Sequence, residues 1–348
     1  MKVLYAIQAT GNGHISRARE IVPLLMQKCE LDILISGTKA DVDLPYPVKY
    51  RLKGISLIYN NKGGLSLLKT AGQLKFWQIK NEIKKLPVEE YDLVINDFEP
   101  ISAWACRIKK INCVSLSHQA AVINKNSPKP AKTDWMGKGV LNYYAPCREN
   151  FGFHFKPYDK NIFTPVIRSQ VRNIPIEKGR HYTVYLPGYH HTYLLNQLSR
   201  FKNIQWQIFT RDIKEELKIE NCVVKPIEND TFIRSMAGSA GVLCGAGFEG
   251  PSEALFLDKK LLLIPIAGQY EQACNAAALQ QLGVPVIKHL SKKYFPIIQQ
   301  WIDSPQKIEM EFPNETESII DAILENYLFV HKNFPGIVSL LYSGKLAS

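Results

Sequence analysis

The sequence lacks the features that mark several large classes of protein. No stretch approaches the roughly 18 consecutive apolar residues that a membrane-spanning helix requires, so an integral membrane protein is not expected. The seven cysteines are scattered, with no CxxC pair and no Cys/His group at zinc spacing. We therefore expect free thiols in a reducing cytoplasm. No DxD pair stands at the end of a predicted strand, so neither a metal nor a cofactor is implied.

Acidic residues are scarce in one half of the chain only. Residues 1–174 carry 26 Lys and Arg against 14 Asp and Glu, and this half accounts for all of the net charge of +11. Such asymmetry favours a polyanionic partner, either an anionic membrane surface or an anionic substrate, although solubility alone could also explain it. Nucleic acid is not expected, because no RNA- or DNA-binding motif is present.

Short apolar runs alternate with helical patterns in two successive series. The first series has strand candidates at Val3–Ala9, Leu31–Ile35, Tyr91–Asn96 and Cys113–Leu116. The second has them at Tyr182–Leu186, Ile204–Phe209, Cys222–Val224, Gly241–Cys244 and Leu261–Ile264. Apolar strands separated by helices predict parallel sheets covered on both faces. The pattern predicts an α/β protein with two Rossmann-like domains, residues 1–168 and 175–315, followed by helices in 316–348.

The segment Leu65–Leu86 has a distinct composition. It contains five lysines with several large apolar residues and a single acid, Glu82. As a helix it would be basic and amphipathic, which suits an anionic membrane interface. The alternative is a surface helix whose apolar stripe packs on its own domain, as most amphipathic helices do.

The strongest candidate for a binding site lies in residues 243–275. An apolar strand leads into Gly245, Ala246 and Gly247, and a helical pattern follows. Glycines between a strand and a helix let backbone N–H groups approach a phosphate. The next strand ends before a second polar group, which consists of Gln269, Glu271, Gln272 and Asn275. Polar groups past the ends of neighbouring parallel strands predict a ligand site.

The run GAGFEGPSEAL, followed by LLLIPIAGQYEQACNAAAL and GVPVI, resembles the donor-site signature of GT-B glycosyltransferases. The likeness is greatest to the branch with the N-acetylglucosaminyltransferase of peptidoglycan lipid synthesis, plant galactolipid synthases and UDP-glucuronosyltransferases. It covers about fifty residues. It implies two facing Rossmann-like domains with an interdomain cleft and a nucleotide-sugar donor in the second domain. One departure is that many relatives carry a phosphate-binding histidine where this chain has Gly245.

The resemblance assigns a donor site to thirteen residues. The loop around Gly245–Phe248 would hold the diphosphate, Glu253 would bind the ribose, and Gln269, Glu271 and Gln272 would contact the sugar or stabilise its loop. The expected donor-binding residues are Gly188, Gly245, Ala246, Gly247, Phe248, Glu249, Gly250, Ser252, Glu253, Gln269, Glu271, Gln272 and Asn275.

A second candidate site opens the first predicted helix with Gly11, Asn12, Gly13 and His14. The turn is not GxGxxG, so a dinucleotide site is disfavoured. The positive end of the helix dipole favours a neutral imidazole, which a general base requires. The resemblance places this turn in the acceptor cleft, with His14 as the candidate base. The alternative is that His14 only caps the helix or contacts the diphosphate.

Further polar residues follow other predicted strands. Asp97 ends one and could orient His14, with Glu99 as a nearby alternative base; capping of the next helix would explain Asp97 equally well. His118 follows the next strand as a rival to His14 and a candidate acceptor-binding residue. His190 and His191 follow Gly188, either near the diphosphate or simply on the surface.

The sequence as a whole predicts an inverting, metal-independent glycosyltransferase. It would move a sugar, most simply from a UDP-linked donor, to a hydroxyl acceptor that is lipid-linked or an anionic glycan. Such an enzyme would be cytoplasmic and peripheral on the inner face of the membrane. One alternative is a UDP-sugar 2-epimerase, which would use carboxylates such as Asp97 and Glu99. Another is a nucleotide-sugar binding protein without catalysis.

Overall fold

A computed structural model describes residues 1–9, 12–37, 44–55, 76–132 and 134–333. These residues form two α/β units, each built on one largely parallel sheet. The βα alternation and the predicted fold class are confirmed. Gly11 and residues 65–75 of the basic segment lie outside the described residues.

The first sheet has seven strands, all parallel, in the order β3-β2-β1-β4-β5-β6-β7. Their bounds are β1 Lys2–Gln8, β2 Glu30–Ser36, β3 Tyr50–Leu52, β4 Leu93–Asp97, β5 Cys113–Ser117, β6 Glu149–Phe153 and β7 Ile162–Phe163. The central strands are buried on both faces, as their continuous apolar runs require. The sequence patterns did not predict β3, β6 or β7, which are short or interrupted by polar residues and glycine.

The second sheet has six strands in the order β10-β11-β9-β8-β12-β13. Their bounds are β8 His181–Tyr185, β9 Gln205–Thr210, β10 Leu217–Ile219, β11 Cys222–Pro226, β12 Gly241–Cys244 and β13 Lys260–Leu263. All pairs are parallel except β10 with β11, which form an antiparallel hairpin at the edge of the sheet. Because the hairpin lies at the edge, the strands in the centre of the sheet are all parallel.

Twelve α-helices lie in the described residues. Their bounds are α1 Asn12–Lys28, α2 Phe76–Lys85, α3 Pro100–Lys109, α4 His118–Ile123, α5 Trp135–Tyr143, α6 Ser169–Arg172, α7 His191–Leu198, α8 Asn229–Gly238, α9 Glu249–Phe256, α10 Tyr270–Gln281, α11 Phe295–Asp303 and α12 Thr316–Asn333. No helix among them is long and apolar enough to cross a membrane.

The last helix returns to the first sheet's side of the molecule. α12 packs on α1, and Ile319, Ile320 and Ile323 are buried in the same apolar cluster as Leu25. Lys28 of α1 adds ion pairs to Glu317 and Asp321 at its exposed edge. The first sheet ends at Phe163 and the second begins at His181, so the join predicted near Pro165–Pro175 lies between them.

The described part of the basic segment packs on its own domain along one stripe, and the membrane interpretation stays a prediction. Ile79 and Ile83 of α2 pack on the core of the first domain. Phe76 and Trp77, in contrast, are 69% and 84% exposed. Lys80 lies over the Trp77 ring, 5.6 Å from its centroid. The helix therefore packs inward along one stripe and presents aromatic and basic side chains to solvent.

Candidate functional site

The two predicted sites lie at the topological switch points of the two sheets. In the first sheet the order reverses between β1 and β4, which lead into His14 and Asp97. In the second it reverses between β8 and β12, which lead into Gly188 and Gly245. Diverging helices leave a crevice at such points, where ligands of open α/β sheets bind.

His14 and Asp97 are hydrogen-bonded to each other. His14 Nδ1 lies 2.8 Å from Asp97 Oδ1, and the carboxylate is fully buried while the imidazole is 13% exposed. The carboxylate accepts a hydrogen bond from the Nδ1–H, so in the neutral ring the lone pair is on Nε2. The pairing predicted from the strand ends is present in the structure.

Arg17 is the third member of this group. It lies one turn after His14 and donates from Nη2 and Nε to Asp97, at 2.7 Å and 3.2 Å. Burial alone would raise the pKa of the Asp97 carboxyl, but the charges of Arg17 and His14 outweigh it and hold that pKa below its usual value. Asp97 therefore stays ionised although no solvent reaches it.

Arg17 also joins the two domains. Its Nη1 donates to Glu249 Oε1 at 2.6 Å, and Glu249 opens α9 beyond the glycine loop. A Cβ added to Gly13 would lie 2.5 Å from Glu249 Oε2, so a larger residue there would require the Glu249 side chain to shift. Glu249, expected in the donor site, thus contacts the first domain.

Three glycines of the expected donor site face open space. A Cβ built on Gly188, Gly247 or Gly250 would meet no protein atom within 4 Å. None of the three has a positive φ, so neither the backbone nor a neighbouring residue requires glycine there. The N–H groups of Glu249 and Gly250, in the first turn of α9, have no intrahelical acceptor. The loop thus offers both room and donors to an anion.

His118 holds the glycine loop from the opposite domain. Its ring stacks on Phe248 with 3.8 Å between centroids, and its Nε2 lies 2.8 Å from Asn275 Oδ1. Asn275 in turn donates to the Ala246 carbonyl at 3.0 Å. Because the Phe153 carbonyl occupies Nδ1 as well, both ring nitrogens have partners. This geometry gives His118 a structural role between the domains and argues against it as the acceptor's base.

The polar group after β13 consists of residues with different partners. Gln272 accepts from the Ile266 N–H at 2.9 Å and so stabilises its own loop. Gln119 of the first domain donates to Glu271 Oε2 at 3.0 Å. The Oε1 atoms of Gln119 and Gln269 are buried, and neither has a hydrogen-bond partner among the described residues. Buried amide oxygens without a donor are rare unless a ligand or water completes them.

Glu253 lies in a buried ion pair. Arg168 donates to both of its oxygens, with Nη2 2.7 Å from Oε2, and also binds Asn229. Burial raises the pKa of the Glu253 carboxyl, and Arg168 opposes this. Ser252 donates back to the Phe248 carbonyl of its own helix start. A ribose bound by Glu253 would therefore share the carboxylate with Arg168, and the role of Glu253 stays a prediction.

Comparison with known proteins identifies the family. The sequence profile of glycosyl transferase family 1 matches residues 1–298. The chain belongs to this family. No curated protein sequence matches it.

Solved structures of glycosyltransferases share the fold of this family member. MurG of Acinetobacter baumannii is 14% identical with a TM-score of 0.58, covering 93% of this chain and 100% of MurG. UGT89C1 of Arabidopsis thaliana, complexed with UDP, is 11% identical with a TM-score of 0.56, covering 98% of each chain. SnogD of Streptomyces nogalater is 13% identical with a TM-score of 0.52, covering 93% and 99%. The protein is a glycosyltransferase with the GT-B fold.

Glu99 has a structural role in this glycosyltransferase. It caps α3, and its two oxygens accept from the N–H groups of Ile101 and Ser102 at 2.9 Å and 2.6 Å. The carboxylate is fully buried. The cap expected of Asp97 is therefore supplied by Glu99. This leaves Glu99 unsuited to act as a base and removes one of the two carboxylates on which the epimerase alternative depends.

The sequence analysis missed two arginines of the site. Arg17 follows His14 by three residues, so both lie on one face of α1, and this spacing was the available signal. Arg168 lies 85 residues before Glu253, and no local pattern indicates that pair.

The buried histidines predict how acid affects the fold. Burial lowers the pKa of His154 well below its usual value, with His118 and Lys129 adding to the effect, and burial also lowers that of His118. Below about pH 6.5 the unfolded chain binds protons at these rings to a greater extent than the folded chain does. The free energy of unfolding therefore falls as the pH drops below that value.

A variant isolates the contribution of His154. His154→Asn keeps an acceptor for the Phe155 N–H, which now binds Nδ1 at 2.9 Å, but does not titrate. The free energy of unfolding is measured by urea denaturation at about pH 7.5 and about pH 5.5. We expect it to differ less between the two pH values in this variant than in the wild type. The exposed His289, replaced by Asn, is the control. If the stability of His154→Asn depends on pH as strongly as that of the wild type, His154 does not contribute to the pH dependence and the prediction is wrong.

Proposed function

We propose that this glycosyltransferase moves a sugar from a UDP-linked donor to a hydroxyl acceptor, with inversion and without a metal ion. The open glycine loop at the start of α9 carries this proposal. A Cβ added to Gly188, Gly247 or Gly250 would meet no atom beyond its chain neighbours within 4 Å, and this open backbone favours a diphosphate there. Hydrogen bonds from backbone N–H groups and the dipole of α9 would stabilise the leaving diphosphate in place of a cation.

The donor sugar would lie between Gln119 and Gln269. Their buried Oε1 atoms come from opposite domains, and the Gln119–Glu271 hydrogen bond brings these segments together. Hydroxyl groups supply the donors that such oxygens require. Glu271 adds an acceptor for a further hydroxyl. These contacts support a sugar at this position without naming which sugar it is.

His14 would act as the general base. Its Nε2 would take the proton of the acceptor hydroxyl, and the oxygen would attack the anomeric carbon from the face opposite the diphosphate. The bond from that carbon to the diphosphate oxygen breaks, and the nucleoside diphosphate leaves with the electron pair. Asp97 orients the ring and stabilises the imidazolium that forms. A single displacement of this kind inverts the anomeric configuration.

Replacement of Gly247 tests the donor site. Gly247→Ala has no protein atom to clash with, so the fold should be unaffected, but the methyl group would intrude on a bound diphosphate. Overlap costing about 1–3 kcal/mol weakens binding about 5- to 150-fold. The measurement is calorimetric titration with UDP. Gly139→Ala, which also faces open space but lies in α5, is the control. The proposal is contradicted if the wild type does not bind UDP, or if Gly247→Ala binds UDP as tightly as the wild type.

Replacement of the proposed base tests the mechanism. Activity is measured as UDP release in a screen of UDP-sugars with hydroxyl acceptors. We expect His14→Ala and Asp97→Asn to lower kcat about 10²–10⁴-fold. UDP affinity should change little, because neither side chain belongs to the glycine loop. Met26→Ala, at the exposed end of the same helix, should retain full activity. A His14→Ala enzyme with more than half of the wild-type kcat would exclude His14 as the base.

The acceptor is proposed to be carried by an anionic membrane surface on the cytoplasmic side. The support is the exposed Phe76 and Trp77 of α2, together with the exposed lysines Lys80, Lys84 and Lys85 and the basic charge of this half. Aromatic side chains flanked by lysines suit the headgroup region of a bilayer.

Vesicle binding tests the membrane proposal. The wild type should sediment with vesicles of phosphatidylglycerol and phosphatidylcholine at low salt, and less with phosphatidylcholine alone. The double variant Phe76→Ser/Trp77→Ser should bind several-fold more weakly, because it removes the apolar contact. Leu217→Ser/Ile219→Ser, on exposed residues of the second domain, is the control. If the wild type does not bind the anionic vesicles, the membrane proposal is wrong. The proposal for the donor site does not depend on that result.

A further inference from the structure

Three potential metal ligands meet at the edge of the second sheet where the strands end. His190 and His191 lie at the start of α7, after β8, and Asp212 lies two residues after β9. Because β8 and β9 are parallel neighbours, their carboxyl ends lie at the same edge. One ligand atom from each side chain lies within 4.8 Å of the other two. We call this group the His–His–Asp triad.

The distances within the triad are close to those of a tetrahedral ion. Asp212 Oδ2 is 3.4 Å from His191 Nδ1 and 3.9 Å from His190 Nε2. Bonds of about 2.0–2.1 Å in tetrahedral geometry separate neighbouring ligand atoms by about 3.3–3.4 Å. The third separation, between the two imidazole nitrogens, is no more than 4.8 Å, so rotation of the exposed His190 ring would be needed to place all three atoms around one ion.

Hydrogen bonds already orient the triad. The backbone N–H of His191 donates to Asp212 Oδ2 at 3.0 Å, and the backbone N–H of Asp212 donates to Thr210 Oγ1 at 3.1 Å. His190 Nδ1 lies 2.8 Å from Thr192 Oγ1 and 3.4 Å from the Thr192 backbone nitrogen, with its Nε2 on the side of Asp212. Binding of an ion through Nε2 requires the tautomer in which the Nδ1–H donates to Thr192 Oγ1. Metal-binding histidines are commonly held in this way through the nitrogen that does not bind the metal.

We propose that His190, His191 and Asp212 bind one divalent late-transition-metal ion, Zn²⁺ in the simplest case. Two imidazoles with one carboxylate suit Zn²⁺, Ni²⁺ or Cu²⁺, whereas Mg²⁺ and Ca²⁺ require oxygen ligands. His190 is 61% exposed, so water can reach the ion and complete its coordination. The ion would link the start of α7 to the end of β9. It has no part in the transfer reaction proposed above, in which the glycine loop holds the diphosphate.

Zinc titration of the full chain tests the site. Untagged, chelator-treated protein is titrated with Zn²⁺ in the presence of a chromophoric competing chelator, without nucleotide. We expect one ion per chain, and binding at least about tenfold weaker in His191→Ala and in Asp212→Asn. Asp212→Asn retains an oxygen for the His191 N–H and so preserves the loop. His289→Ala removes an exposed imidazole of the same domain and should bind like the wild type.

Two further readouts make the test decisive. The wild type loaded with Co²⁺ should show visible absorption typical of four or five ligands. This absorption should be absent in Asp212→Asn. Zn²⁺ should raise Tm in the wild type and not in His191→Ala, since a ligand that binds only the folded state stabilises it. Less than one ion per chain, or binding that persists in both variants, would overturn the proposal. UDP binding, measured without metal, reports on the donor site independently.

Discussion

A carboxylate without access to solvent sets the arrangement of the cleft. An isolated buried Asp97 would take up a proton, since burial penalises the charged form. Arg17 prevents this by placing a guanidinium against both carboxylate oxygens. The charge retained on Asp97 then orients the His14 ring. The position of the proposed base therefore depends on a residue that need not touch either substrate.

The same arginine connects the first domain to the second. Its contact with Glu249 is one of several polar contacts between the two units, together with His118–Asn275 and Gln119–Glu271. All of them reach the glycine loop, its helix or the segment after β13. The first domain thus helps to shape the loop on which a diphosphate would rest. Movement of one domain against the other would alter both halves of the site together.

Local sequence patterns were sufficient for the alternating βα architecture, while the location of the site stays a prediction. Short apolar runs of three to seven residues marked most of the central strands. The order of the strands, and with it the switch points, came from the structure. β6 and β7 were missed because Glu149, Asn150 and Gly152 interrupt the apolar pattern and β7 has only two residues. Side-chain partners were harder to foresee. The Arg168–Glu253 pair and the Arg17–Glu249 pair join residues 85 and 232 positions apart, and only the folded chain brings them together.

The position of α12 has a consequence for the order in which the molecule forms during synthesis. The second sheet is complete once β13 has been made, well before α12. The outer face of α1, in contrast, stays uncovered until Ile319, Ile320 and Ile323 emerge from the ribosome. The half that is translated first is thus the last to bury its apolar surface. Until then the nascent chain exposes a hydrophobic helix, which is the kind of surface that chaperones bind.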